Sequence, residues 1–248
     1  MPKLYFGQTG LAETNGAQVH VRYSYGSIFH NLPCNMNFDG QVTTKLNNAI
    51  PLALQALNYV HDRFTGGHVL SDPEGKYSAE RYFKIYELQE DHCWKIALVI
   101  KMMVAGLNTN RTVVKVFRGL KGHPTVNGYV TSRNINTPKK HRNHAIHHFT
   151  KKDGNPAWRP VNKGDVHMKV ASIMRNCDYV NAVLFLHEAS HKYASTADFG
   201  EKGYTVKNTG AYREGGLTTE QALINAESYG KFIMDYYIKQ NSLNIAIW

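Results

Sequence analysis

The stretch that decides how this chain is read runs Val183-Leu184-Phe185-Leu186-His187-Glu188-Ala189-Ser190-His191. Its apolar head and its continuation into Lys192-Tyr193-Ala194 predict a half-buried helix from about Tyr179 to Ala194. Residues four apart on a helix lie one turn above the other, so His187 and His191 can aim both imidazoles at one metal ion. Glu188 is rotated by about 100° from His187 and reaches a water beside such an ion rather than crowding its ligands. Asp178 precedes the helix and is a candidate cap. The plain alternative is a pair of structural histidines on a core-facing helix. A chain with 13 histidines meets this spacing by chance at a rate of roughly a few per cent.

Two histidines do not complete a catalytic zinc site, which takes three protein ligands and leaves a fourth position to water. Six residues beyond His191, where a third histidine would serve, the chain has Ala197. The next residue is Asp198, in Ser195-Thr196-Ala197-Asp198-Phe199-Gly200. Gly200 and Gly203 allow the chain to turn back there and bring the carboxylate under the metal. Otherwise Asp198 is a turn carboxylate, and Glu201, Glu214, Glu220 and Glu227 are rival ligands.

With these residues in view, the segment resembles the aspzincins, the deuterolysin and peptidyl-lysine metallopeptidase family. That family shows HExxH, then Gly-Thr-x-Asp-x-x-Tyr with an aspartate ligand and a catalytic tyrosine, then an Asn-Ala-Asp-Ser-Tyr helix. This chain has His187-Glu188-x-x-His191, Thr196-x-Asp198 and Asn225-Ala226-Glu227-Ser228-Tyr229. Val166-His167-Met168-Lys169-Val170 through Cys177 is similar to the family's strand and cysteine ahead of the active-site helix. The resemblance covers about 165–237. Ser195 stands for the family glycine, Glu227 for its aspartate, and the tyrosine expected three residues after Asp198 is Glu201 instead. Tyr204 is then the nearest oxyanion donor, with Tyr193 and Tyr212 as substitutes.

The resemblance implies an α+β, zincin-like fold and one Zn2+ per chain on His187, His191 and Asp198. It implies an endopeptidase in which Glu188 is the general base and acid and a phenol such as Tyr204 steadies the oxyanion. In lysine-selective members, acidic groups on the later helix line the pocket for the residue after the cut. Glu227 matches one of those positions, while Gly230 falls where some members carry a second carboxylate. The resemblance therefore implies a preference for Lys, Arg or basic polypeptides, unless Glu227 is an ordinary helix carboxylate or the third metal ligand.

Composition sets outer bounds. The chain has 248 residues, 42% of them hydrophobic, enough for one globular core. No stretch reaches the length of a membrane span; Cys93 to Leu107 comes nearest but contains Lys95 and Lys101. Residues 1–7 lack the apolar core of a signal peptide, so a cytoplasmic location before delivery is expected, with any export by a non-classical or effector route. Cys34, Cys93 and Cys177 are odd in number and widely spaced, which excludes a full disulfide framework and leaves at least one thiol free or intermolecular, with one bridge involving Cys177 still open. Set beside the disulfide-braced secreted members of the family it resembles, the chain suits a reducing interior or bacterial delivery.

A net charge of +10 favours acidic partners. The charge concentrates between Lys139 and Lys152, among His141, His144, His147 and His148, and reads as a solvated basic loop; a nucleic-acid contact or a second metal site is the alternative. With Phe149 as its one aromatic residue, that segment makes a poor base-stacking platform. The expected partners are a polypeptide substrate and, if the chain is a bacterial toxin or effector, a cognate inhibitor or immunity protein. Competing classes are a basic cell-wall or nucleic-acid adaptor that no longer turns over, and a metal-dependent nuclease using His141 to His148. Oligomeric state is open.

Along the chain, residues 1–38 are expected as an arm or short strands, and 39–248 as the catalytic domain with a polar insertion at 132–165. Val42, Leu46, Ile50, Leu54, Leu57 and Val60 predict a helix over 39–64 containing Pro51. Further helices are expected at 78–87, 91–107 and 218–239, and strands at 112–117, 128–131 and 166–171. The cleft is expected between the sheet edge and the last two helices.

Overall fold

The computed structural model describes residues 19–23, 36–109, 112–117, 126–130, 164–205, 212–213 and 216–243. Cys34, Glu214 and the basic segment 139–152 lie outside the described residues, as does nearly all of the polar insertion.

The apolar residues recurring every three or four positions after residue 40 form one face of helix α1 (Met36–Thr65), and Val42, Leu46, Ile50, Leu54, Leu57 and Val60 are all buried. The helix runs on through Pro51, which removes a single backbone bond to the turn before it. Helix α2 (Pro73–Phe83) begins five residues earlier than its apolar pattern suggests. Asp72 caps it, accepting from Glu74 N at 3.1 Å, and Pro73 sits in the first turn, where no N–H is required. It stops at Phe83 because Lys84 turns into the left-handed region at φ 56°. Helix α3 (Glu90–Thr109) follows.

Four strands form one sheet in the order β1-β2-β4-β3: β1 (Val19–Tyr23), β2 (Thr112–Phe117), β3 (Gly128–Val130) and β4 (Val166–Lys169). β1, β2 and β4 are parallel, and β3 pairs antiparallel with β4 at the edge. The segment ahead of residue 38 thus supplies a strand of this sheet. Strand alternation sorts the faces. Val114, Val116, Val166 and Met168 join the helical core. On the opposite face the rings of Tyr129 and His167 stack at 4.2 Å, with Phe117 edge-on to Tyr129 at 5.2 Å.

The expected strand 166–171 ends at Lys169, whose N–H donates to Asn127 O at 2.8 Å. The chain turns there into α4 (Val170–Arg175). Helix α5 (Asp178–Ala194) carries the His-Glu-x-x-His segment and packs on α1, α3 and strands β3 and β4. Cys177, not Asp178, holds its N-cap position. The expected last helix is two: α6 (Thr219–Ala222), with a capping box between Thr218 and Gln221, and α7 (Ala226–Gln240). The break comes where Ala197 pairs with the chain, donating from its N–H to Ile224 O at 2.7 Å and accepting from Ala226 N at 3.0 Å. A helix cannot continue while its backbone serves that bridge.

Helix α7 lies directly on α5. A Cβ added at Gly230 would fall 2.8 Å from Val183 O and 3.4 Å from His187 N, so only glycine permits this approach. The architecture is α+β, with helices over one face of a small mixed sheet. Among the described residues no helix is long and apolar enough to cross a membrane.

Candidate metal centre

His187 and His191 lie one turn apart on α5, as their spacing demands, and their Nε2 atoms are 3.1 Å apart. Helix α5 ends at Ser195, which adopts the left-handed conformation (φ 53°, ψ 40°) and reverses the chain. The Ala197 bridge to the residues ahead of α7 then holds the returning strand. Asp198 is thereby set under the two imidazoles: Oδ1 lies 3.3 Å from His187 Nε2 and Oδ2 3.2 Å from His191 Nε2. His187, His191 and Asp198 form the one such candidate metal-binding group among the described residues.

Ring nitrogens are assigned by their partners. His191 Nδ1 sits 2.8 Å from Thr196 O, a carbonyl that can only accept, so Nδ1 carries the proton and Nε2 is bare. His187 Nδ1 faces Glu227 Oε2 at 3.5 Å. In the ligating tautomers both Nε2 atoms are bare; they lie 3.1 Å apart, and each meets one oxygen of the Asp198 carboxylate, at 3.3 Å and 3.2 Å. Ligands of tetrahedral zinc at about 2.0–2.2 Å lie about 3.3–3.6 Å apart, so the donor set and its spacing fit that ion. The side chain of Asp198 is 50% exposed while His187 is buried, which leaves the group open to solvent on the aspartate side.

The electrostatics agree with a cation site. In the metal-free chain burial would push the His187 imidazole down, but hydrogen bonds to Asp198 and Glu227 outweigh it and hold the ring at about 10. Burial would likewise raise Asp198, yet the two imidazoles keep its carboxyl well below the usual carboxylate range. A proton occupies the position of positive charge that the three donors define.

Glu188 is buried, and its Oε2 has no hydrogen-bond partner among the described residues. Burial raises its carboxyl above the ordinary value, the two imidazoles lower it and Asp198 adds to the rise. It lies against the edge strand: a Cβ on Gly128 would fall 2.4 Å from Glu188 Oε1. Tyr204 stands over His187 with ring centroids 6.2 Å apart and planes within 5°. Burial, then Asp198, Glu227 and Glu188, push its phenol well above the ordinary range, so it remains an O–H donor at neutral pH. Its backbone is held by Arg213, whose N–H donates to Tyr204 O at 3.0 Å, beside a bridge between Thr205 and Tyr212.

The substitutes for Tyr204 sit elsewhere. Tyr193 is buried with its hydroxyl 2.5 Å from Thr112 Oγ1, and Tyr212 donates to Tyr82 O at 2.6 Å. Among the rival ligands, Glu201 is exposed and pairs with Arg213 at 2.8 Å, while Glu220 is in the first turn of α6. Glu227, expected in a substrate pocket, has one oxygen towards His187 and the other 3.4 Å from Thr205 Oγ1. Gly230 lies in the contact between α5 and α7, where no second carboxylate fits.

Three residues of the site are given no role by the sequence. Thr196 orients His191 through its main-chain oxygen and braces the turn through a 2.7 Å contact between its hydroxyl and that of Ser190. Gly128 and Thr205 join only by folding, and no local pattern announces them.

No protein-family model matches the chain, and no curated protein matches it in sequence. Among solved structures it is similar to a zinc peptidase from Grifola frondosa, with 13% identity and a TM-score of 0.45, over 81% of this chain and 96% of that one.

Proposed function

We propose that this chain is a zinc-dependent endopeptidase. The observation that carries the reading is the convergence of His187 Nε2, His191 Nε2 and the Asp198 carboxylate at one point, with the buried Glu188 next to it on the same helix. Those three side chains would hold the ion. Bound there, zinc supplies Lewis acidity, bringing the pKa of water down to about 7 and polarising a carbonyl.

The chain's own groups do the rest. Glu188 takes a proton from the attacking water as the new C–O bond forms, then delivers it to the nitrogen as the C–N bond breaks. Its burial suits the task, because a carboxylate raised above its ordinary value holds and releases a proton nearer neutral pH. Tyr204, kept protonated by its surroundings, donates to the oxygen that gains negative charge. Thr196 keeps the His191 imidazole turned so that its Nε2 faces the ion. A preference for Lys or Arg would need a carboxylate open to the substrate, and Glu227 contacts His187 instead.

The test is metal content followed by digestion of casein and of a peptide library, with and without a chelator. One zinc per chain and chelator-sensitive proteolysis are expected, with Glu188→Gln retaining zinc and losing about 10²–10⁴-fold in kcat. Zinc binding without proteolysis would leave a binding module. Nucleic-acid degradation that survives His187→Ala would point to a separate site.

A further inference from the structure

We infer that Glu227 is a positioning residue for the metal centre: its carboxylate fixes the tautomer and rotation of His187 and so sets how tightly the ion is held. The inference rests on the metallopeptidase reading above and adds to it the group that governs metal affinity.

The argument starts from His187. Its Nε2 is the atom that meets His191 and Asp198, so in the ligating tautomer the proton belongs to Nδ1. The ring is buried, and a buried N–H left without an acceptor is destabilising because it has given up water and gained no partner. For His191 the corresponding proton goes to the Thr196 carbonyl. For His187 the group at that position is Glu227 Oε2, at 3.5 Å, with Oε1 anchored by Thr205 Oγ1 at 3.4 Å.

The fold explains why α7 supplies it. Gly230 lets the α7 backbone press against Val183 O and His187 N. Glu227 lies three residues earlier on the same helix face, and so beside the same turn of α5. With only 13% of its side chain exposed, Glu227 faces the back of the imidazole rather than the solvent-open side of the site. A carboxylate at Nδ1 makes the imidazole a better donor to the ion and resists its rotation. Loss of such a partner typically lowers metal affinity about 10–100-fold.

The experiment measures the zinc Kd of the full chain by competition with a chromophoric chelator, for the wild type, Glu227→Gln and Glu227→Ala. The visible spectrum of the Co2+-substituted forms at saturating metal and the cleavage-site profile complete it. A loss of about 10-fold or more in Glu227→Ala, a smaller loss in the isosteric Glu227→Gln, a shifted Co2+ spectrum and an unchanged profile are expected. Should Glu227→Ala fail to fold, the Kd and spectrum of Glu227→Gln decide. Zinc affinity within twofold of wild type in the folded variants overturns the inference, as does a changed cleavage profile at unchanged affinity. A wild-type chain that binds no zinc would instead overturn the metal site itself, so the two failures are distinct.

Discussion

Gly128→Ala is a small change with a large expected effect on turnover. The new methyl carbon would fall 2.4 Å from Glu188 Oε1, 2.9 Å from Cδ and 3.0 Å from Cγ. Carbon and oxygen atoms pack comfortably no closer than about 3.4 Å, so the carboxylate must retreat by about 1 Å. The atom in the way is the far end of a flexible side chain, so the strand need not move. Overpacking then costs about 1 kcal/mol, which at this chain length shifts Tm by about 2–4 °C.

Catalysis is less forgiving, because displacing a reacting group by about 1 Å costs about 100-fold, or about 2.7 kcal/mol of transition-state stabilisation. The expected outcome is a kcat about 100-fold down with zinc content unchanged, since the three atoms nearest the added carbon all belong to Glu188. A double-mutant cycle isolates the cause: in a Glu188→Gln background, Gly128→Ala should cost little more. A single variant with kcat within about threefold of wild type, or full additivity in the cycle, would refute the role given to the contact between β3 and Glu188.

Three other outcomes follow from the same geometry. Tyr204→Phe should lower kcat by about 10²–10³-fold while zinc affinity and KM stay near wild type, whereas Tyr193→Phe should affect stability alone; steady-state kinetics and thermal melts separate the two. Ser195→Gly should stabilise the fold by up to about 1 kcal/mol: it relieves a left-handed non-glycine residue, worth about 1–2 kcal/mol, at the expense of a more flexible unfolded chain. The Ser195 hydroxyl is also buried without a partner among the described residues, so its removal leaves none of them unpaired, and a Tm unchanged or lowered would contradict this.

The pH behaviour has a definite sign. His187 in the metal-free chain sits at about 10 against 6.5 unfolded, so its contribution to stability is complete below pH 6.5 and is lost as pH rises through about 10. Asp198, held below its ordinary 3.8, contributes above that pH and loses its contribution on acidification. Zinc added at pH 7.5 must therefore displace about one proton, which titration calorimetry in buffers of different ionisation enthalpy will show; heats independent of the buffer would rule it out.

The sequence by itself determined whatever depends on neighbours along the chain. Helix periodicity sets His187 and His191 on one face and marks the buried stripe of α1, because a side chain's direction follows from the backbone period. The run Thr112-Val113-Val114-Lys115-Val116-Phe117 is a strand at its expected limits, since alternating β-branched residues suit a pleated, half-buried surface. Asp198 as partner to the histidines was legible from its short distance beyond a helix that had to end. Boundaries set by long-range contacts were not legible: the last helix breaks because Ala197 takes its backbone bonds, and β4 stops where Asn127 takes the N–H of Lys169.

Only the tertiary structure decided which side of each group faces what. Three of fifteen tyrosines were candidates by position, and packing places Tyr204 over His187 while holding Tyr193 and Tyr212 in the core. Glu227 meets the back of His187, and Gly128 makes room for Glu188, because α7 and β3 come from distant parts of the chain to the same turn of α5. Local sequence encodes the period and caps of an element. The close approach of two elements is set by the shape of every residue between them.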